Sequence, residues 1–480
     1  MGYKIGTDRK QLTLLPVSLD DYISEYHICR LIYAFTEQLD MWTLGFKYGE
    51  CKSTGCRPYD PRMMLNLYIY GYLHRVRSSR RLRDEAVRNV EVMWLLEGLT
   101  PDDRTICNFR KDNAKILKDT FRVFSRMNNE LDLYSGELLA TDSVKIRANN
   151  SLVNNHNKTT VNNALARIDK KIDEYLNTLE QMDMQEDKEE DHPDSSKIKA
   201  ALEKIKTRKV KYEDLKARLE EESEVSTVDP ESRLMRTGGE GRKLDVNYNI
   251  QTVVDSKYHL VVDFEVSNCA SDAGNLKGLS DSAKEIMNVE EITNLADSGY
   301  YSGADITACE ESGTRCLVAK PAASGHKKAE GFNRDDFIYD SEKDVYKCPC
   351  QKELNYKRNG KYKNGMEFRV YSNYPACKNC EKKAECTTAR YRERARLGCQ
   401  DTLDVVDKRT KNHKELYKKR QEIVEHCFGT IKSVWGYRQF LCRKIIKVTA
   451  EMSLTYIAYN LRRIFNIFAE NRKELAMELG

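Results

Sequence analysis

The sequence predicts an α/β core, a mixed sheet flanked by helices, joined to an all-α N-terminal part and interrupted by a helical coiled hairpin and a small cysteine-rich insertion. Three observations predict it. Short apolar runs alternate with helical periods between residues 137 and 319. Apolar residues spaced by four and three fill the charged stretch 161–219. Five of the fifteen cysteines crowd between Cys348 and Cys386. At 480 residues, 40% of them hydrophobic, the chain has material for two or three domains with real cores.

Lys+Arg (80) and Asp+Glu (75) nearly cancel to +5, so the distribution of charge, not its total, must point to any nucleic-acid partner. No apolar run approaches the roughly 18 residues of a membrane span, and the opening MGYKIGTDRK has no signal-peptide core. The expectation is a soluble cytoplasmic protein without a membrane partner. In a reducing compartment the cysteine crowding suggests metal rather than disulfides.

Residues 17–130 read as helices. After Arg57-Pro58-Tyr59-Asp60-Pro61, apolar Met64, Leu67, Tyr68, Gly71 and Tyr72 recur at helical spacing, and Leu82, Ala86, Val90 and Met93 do so after Ser78-Ser79, up to Gly98. Thr100-Pro101-Asp102-Asp103 has the form of a helix start with Thr100 as cap, followed by Ile106 and Phe109 inward and Arg104, Asn108 and Lys111 outward. Residues 137–143 suit a buried strand. The spacing of Val161, Leu165, Ile168, Ile172, Tyr175 and Leu179, then of Ile198, Leu202, Ile205, Tyr212 and Leu219, with polar DKEEDHPDSS between them, predicts two helices folded back on one another. An ordinary solvated helical pair without a catalytic role accounts for it; an arm for DNA or for a second subunit is the other reading. Residues 247–254 and 258–266 read as a β-hairpin, 272–287 as a helix, 291–296 as a strand, 303–312 as a helix and 315–319 as a strand. A helical end follows from about 412 to 470, and no internal repeat is present.

Asp142 and Asp297 each follow an apolar run, in Ala140-Thr141-Asp142 and Leu295-Ala296-Asp297. Open α/β sheets present their sites at such strand ends, and two neighbouring carboxylates there could hold a pair of Mg²⁺ ions about 4 Å apart. An Asp after a strand is also a common turn former or helix cap. Glu425 is the candidate third acid, seven residues before Lys432, so both lie on one helix face; a solvated charged face is the alternative. The run His74 to Arg83 carries Arg75, Arg77, Arg80, Arg81 and Arg83, a patch able to neutralise phosphates, or again a solvated face. Cys348-Pro349-Cys350, Cys377-Lys378-Asn379-Cys380 and Cys386 offer more than the four thiolates of a structural zinc site, with free buried cysteines as the alternative. His413 and His426 lack ligand spacing to that cluster.

The segments around Asp142, Asp297 and Glu425, in this order and separated by an insertion and a cysteine cluster, resemble those of the DDE transposases of bacterial insertion sequences. Further stretches resemble one subgroup: Arg57 to Arg62, Tyr70-Gly71-Tyr72, Arg77 to Leu82, Thr105 to Lys111, Asp229 to Met235 and Tyr248-Asn249-Ile250-Gln251. The resemblance covers nearly the whole chain and rests on no single motif. It implies a ribonuclease H-like core whose catalytic acids fall on Asp142, Asp297 and Glu425, with two Mg²⁺ (or Mn²⁺) ions per site. It also implies DNA contacts by Arg420 and Lys432. The family often spaces its last motif as Y-x₂-R-x₃-E-x₆-K, whereas four residues separate Arg420 from Glu425 here, which puts the Arg420 contact in question and leaves Glu422 as a rival ligand.

The implied organisation is a helical DNA-binding domain over 1–130, the first part of the core over 136–345 with the hairpin insertion at 155–235, a zinc-ribbon-like insertion over 346–400, and a helical last part over 401–470 carrying the catalytic Glu. Such an enzyme binds terminal inverted repeats and target DNA as a homodimer and performs cleavage and strand transfer. The competing readings are a DNA-binding protein of transposase descent that no longer cuts, and a ribonuclease H-like nuclease.

Overall fold

The computed structural model describes residues 18–50, 57–186, 196–237, 244–321, 331–362 and 365–468. The start of the N-terminal helical part, and all but the last residue of the polar DKEEDHPDSS stretch, lie outside them.

Six helices come first: α1 (Ile28–Glu37), α2 (Pro61–Leu73), α3 (Ser79–Arg88), α4 (Val90–Leu95), α5 (Asp103–Asp112) and α6 (Ile116–Glu130). Asp60 caps α2 by accepting from the Arg62 amide, with Pro61 at the first helical position. A Cβ at Gly71 would meet Leu82 Cδ2 and the Val76 carbonyl at 2.5 Å, so glycine there is what lets α2 and α3 touch. The apolar run after Ser78 breaks at Asn89, whose extended backbone ends α3 and whose side chain caps α4. The next helix begins two residues later than expected. Asp102, not Thr100, is its cap, because its carboxylate takes both the Thr105 amide (2.8 Å) and hydroxyl (2.9 Å).

The main sheet is built from β1 (Leu138–Arg147), β4 (Arg233–Arg236), β5 (Leu244–Asp255), β6 (Val261–Ser267), β7 (Ile292–Ala296) and β8 (Thr314–Val318). Between β1 and β4 lie the two-residue strands β2 (Asn155–His156) and β3 (Val225–Ser226), which pair at the base of α7 (Lys158–Glu186) and α8 (Ser196–Glu221). These two helices are the coiled hairpin, closed by a small apolar cluster of its own: Val161, Leu215, Leu219 and Val225. β5 runs antiparallel to β1, and its other edge is shared by β4 and β6; β7 is parallel to β1 and β8 parallel to β7. The sheet order through the principal strands is thus β6-β5-β1-β7-β8, with α9 (Leu276–Met287) and α10 (Gly303–Glu311) as the connections to β7 and β8.

A second, wholly antiparallel sheet follows in the order β13-β12-β11-β10-β9: β9 (Ile338–Asp340), β10 (Val345–Lys347), β11 (Glu353–Lys361), β12 (Glu367–Ser372) and β13 (Glu393–Leu397). The short helices α11 (Tyr374–Lys378) and α12 (Lys383–Cys386) sit between its last two strands. The chain then returns to the main sheet through α13 (Gln400–Asn412), α14 (Lys414–Gly429), a π turn (Thr430–Val434) and α15 (Ile445–Ile467). The helical end is therefore not continuous. Around Gly436, at φ +66°, the chain leaves the helix, and Gln439 bridges to Arg147 at the end of β1.

The N-terminal helices and the main sheet share one hydrophobic cluster, running from Ile23 to Ile464. Phe121 of α6, Phe264 of β6 and Tyr456 of α15 meet at its centre, with ring centroids 5.0–6.2 Å apart. Beside them Asp263, 1% exposed, accepts from Lys118, from Arg122 (3.3 Å) and from Ser282. α6 is thereby tied to the sheet by charge as well as by packing.

Candidate active site

Parallel pairing sets Thr141 opposite Ala296, so the next residue of each strand, Asp142 and Asp297, are neighbours although the chain separates them by more than a hundred residues. Asp142 Oδ2 accepts from Arg420 Nη1 at 2.7 Å and Oδ1 from the Ser143 amide at 2.7 Å. Burial pushes its carboxyl up to about 6, Arg420 opposes that rise, and the charge of Asp297 adds to it. Asp297 caps a short 3₁₀ turn, its Oδ1 accepting from the Gly299 amide at 2.8 Å.

A further acid adjoins this pair. Asp272, in the loop after β6, accepts from Asn249 Nδ2 (2.8 Å) and Gln251 Nε2 (2.7 Å), both buried on β5. A Cβ at Gly299 would lie 3.0 Å from Asp297 Oδ1 and 3.1 Å from Asp272 Oδ2, so the glycine turn is wedged between the two carboxylates. Tyr300, buried and donating to Gln251, has its hydroxyl pKa raised by burial first and then by the charges of Asp272, Asp142 and Asp297. Among the described residues no Lys or Arg nitrogen lies within 4.0 Å of Asp297 or Asp272, leaving Arg420 as the cation paired with this row of acids. Sequence reading missed Asp272; the one signal that could have found it is the polar pair Asn249 and Gln251, two apart and so on one face of β5.

α14 lies across β1, where Tyr417 donates to the Ala296 carbonyl at 3.1 Å and Arg420, one turn on, reaches Asp142. Glu425 is exposed on the same helix, about 140° around its axis from Arg420 at roughly 100° per residue. Its carboxylate is not gathered with Asp142 and Asp297. The described residues bring three candidate ligand atoms within 4.8 Å of one another only at His27, Cys29 and Glu91. Glu422 is exposed too and lies toward His259, whose pKa its charge raises against the dominant effect of burial. Lys432, in the π turn, is half-buried, and burial lowers its pKa.

Arg104, Asn108 and Lys111 are exposed together on α5. Arg75 and Arg81 are exposed as well. Arg80 and Arg83 lie 3.7 and 3.8 Å from Asp103 at the start of α5, so the basic run braces that helix. Arg77 turns inward, donating to the fully buried Glu451 (3.2 Å) and the Gln439 carbonyl, with its guanidinium 4.1 Å from the centre of the Tyr437 ring. Cys348, Cys350, Cys377, Cys380 and Cys386 line one small cavity beside the second sheet. Cys350 and Cys380 sulfurs are 3.8 Å apart, and Cys348 Sγ accepts from the Lys352 amide at 3.3 Å.

A mixed sheet with paired acids on adjoining parallel strands, joined to a helical N-terminal part, is compatible with the catalytic core of a transposase, and the comparisons name the family. Residues 17–112 match the transposase domain (DUF772) and residues 223–461 the transposase DDE domain. The chain belongs to the DDE-type transposases. No curated protein matches. Among solved structures, a piggyBac transposase in its synaptic complex with hairpin DNA is similar over 97% of this chain and 81% of that one, at 8% identity and a TM-score of 0.35, too remote to add to the assignment. No described helix is long and apolar enough to cross a membrane.

Proposed function

We propose that this transposase cuts DNA at the terminal inverted repeats of its element and joins the freed ends to target DNA, using divalent metal held by Asp142, Asp297 and Glu425. The observation that carries the reading is the row of adjoining acids at Asp142, Asp297 and Asp272 with Arg420 as its paired cation. Oxygen ligands in excess of positive charge are what Mg²⁺ or Mn²⁺ requires. When bound, a pair of such ions supplies an activated hydroxyl and stabilises the leaving oxygen of an in-line displacement. The chain's own residues do the rest. Arg420 pairs with Asp142 in their absence, Lys432 would add a backbone contact, and Glu425, exposed on α14 and not gathered with the two Asp, would complete the ligand set by a movement of α14 toward them. The strand order β6-β5-β1-β7-β8, with its parallel and antiparallel pairings, supports a ribonuclease H-like core.

The exposed face of α5, with Arg104, Asn108 and Lys111, reads base edges, while Arg75, Arg80, Arg81 and Arg83 steady its register on phosphates. A homodimer brings both ends together in the bacterial cytoplasm, associated with the nucleoid. Four of Cys348, Cys350, Cys377, Cys380 and Cys386 hold a structural Zn²⁺. The 3.8 Å separation of Cys350 and Cys380 supports this, being the edge of a tetrahedron with bonds of about 2.3 Å.

The test is cleavage of a supercoiled plasmid carrying the element's ends, in Mg²⁺. Asp142→Asn, Asp297→Asn and Glu425→Gln are each expected to abolish cutting while leaving end binding within about threefold, a change of under 1 kcal/mol. Full cutting by Glu425→Gln together with its loss in Glu422→Gln would move the third ligand to Glu422. Full cutting by Asp142→Asn would overturn the site.

A further inference from the structure

We infer that a basic pocket between α5 and the start of α15 holds one backbone phosphate of the duplex whose end lies in the active site, an inference that rests on the DNA-processing reading above. The pocket is lined by Arg110 and Lys111 of α5, by Asn149 just past β1, and by Leu441, Arg443 and Lys447 at the approach to α15; Cys107 and Cys442 complete it. It encloses about 320 Å³, ample for a phosphodiester with ordered water, since one water occupies about 30 Å³.

Its charge is unspent. Among the described residues none of Arg110, Lys111, Arg443 and Lys447 comes within 4.0 Å of a carboxylate, whereas Arg77, Arg80 and Arg83 of the basic run are paired. The nearby carboxylate of Glu451 is occupied by Arg77 and by the Leu441 and Cys442 amides. Arg110 is fixed by its bond to Tyr72 Oη (3.1 Å) and by the Tyr68 ring, and Arg443 by the Asn149 carbonyl (3.1 Å). The Lys444 and Ile445 amides are taken by Asp229 and Glu231, so the anion would rest on side chains and not on the helix terminus. No aromatic ring lines the pocket, so it offers no stacking platform for a base and suits backbone alone.

Position gives the pocket its use. Lys111 belongs both to its rim and to the exposed face of α5, so a duplex read by α5 passes directly over it. From Asp142 to Asn149 the chain advances seven residues, at most about 23 Å at 3.3 Å per residue, which is about seven base-pair steps of 3.4 Å. The pocket would thus fix the distance between the recognised sequence and the phosphodiester that is cut.

The experiment is equilibrium binding of the full chain to a fluorescent duplex of mixed sequence spanning about 30 base pairs, over a salt series in EDTA, where no cutting can occur. Each phosphate contact contributes about 0.9 to the slope of log K against log[salt], so losing the pocket's one contact in Arg443→Gln with Lys447→Gln should flatten it by about 0.9, and Arg443→Lys with Lys447→Arg should restore it. An unchanged slope in the neutral pair overturns the pocket and leaves the active site standing. Should that pair not fold, Arg443→Gln alone, at an exposed position of the pocket outside α5, is expected to flatten the slope, and no change there overturns it equally. If the parent chain binds no duplex at all, the DNA-processing reading falls and the pocket with it.

Discussion

Asp142 meets Arg420 on one side and Asp297 on the other, and each neighbour pushes its proton equilibrium the opposite way. An acid so placed stays balanced until a stronger cation arrives. Asp272 has no such counter-charge; the buried amides of Asn249 and Gln251 hold it instead. These two act as positioning residues. Asn249→Leu, which keeps the volume and removes the donor, should lower strand cleavage by about 10–100-fold and raise the Mg²⁺ concentration for half-maximal rate, with duplex affinity unchanged. Titrating cleavage and binding side by side checks this, and a parallel loss of binding would point to collapse of the sheet instead. At this scale the sequence reading was uneven. Asp142 and Asp297 stand out in the sequence because an acid ending an apolar run is visible locally, whereas Arg420 was expected only as a DNA contact put in question by its spacing, and its pairing with Asp142 was not foreseen: the extra residue turns it about 140° from Glu425 and onto the strand. Asp272 was not legible. Its loop has no pattern, and its importance comes from two side chains on the neighbouring strand β5.

α6 and β6 show how one element is fixed to another. Burial pushes the Asp263 carboxyl up, but Lys118 and Arg122 outweigh it and hold it below the ordinary carboxylate range. Because the folded value is depressed, the stabilisation is present above the unfolded value of about 3.9 and is lost as pH falls through the folded one. Asp263→Asn leaves Lys118 buried without its counter-charge and should destabilise the protein by about 3–5 kcal/mol, read from the urea midpoint at neutral pH. Lys118→Met added to it should recover much of that loss. The proposed zinc would tie the second sheet differently. Protein purified without added metal should contain about one equivalent of zinc, and chelation should loosen residues 338–397 in hydrogen exchange while the main sheet stays protected. Less than about half an equivalent, by elemental analysis, would exclude the site. Most elements were readable from periodicity, since both hairpins and the β7-α10-β8 succession obey it. The exceptions have local causes: Asp102 outcompetes Thr100 as a cap by taking two donors, and the polar network of Asn89 interrupts a run that apolar spacing alone would continue.

The molecule as a whole is organised around what the coiled hairpin leaves alone. Its apolar cluster is separate from the main one, and its two ends meet at the β2–β3 pair, where Asn150 donates to Ser226 (2.7 Å) and Ser232 (3.1 Å). Replacing residues 158–223 by a two-residue Asn-Gly turn should therefore shift the melting temperature by less than about 4 °C, the equivalent of roughly 1 kcal/mol. A collapse of the melting transition would mean that the hairpin stabilises the sheet. The stretch Asp229 to Met235 takes its meaning at this scale: Asp229 accepts from Tyr248 Oη and the Lys444 amide and Glu231 from the Ile445 amide, clasping the hairpin's exit to the last helix. No local reading of the sequence could supply that.

α15 packs against α2, α6 and β6 alike, so the helical half and the sheet half are closed by the same element. Some 370 residues separate Leu73 from Ile445, which at 5–20 residues per second is about 20–70 s of synthesis. For that interval the side of α2 that α15 will cover has no partner, although α1, α3, α4 and α5 already pack against the rest. Such a flank is apolar surface of the kind that makes incomplete chains prone to aggregate, and the two halves become one unit only once α15 has been made.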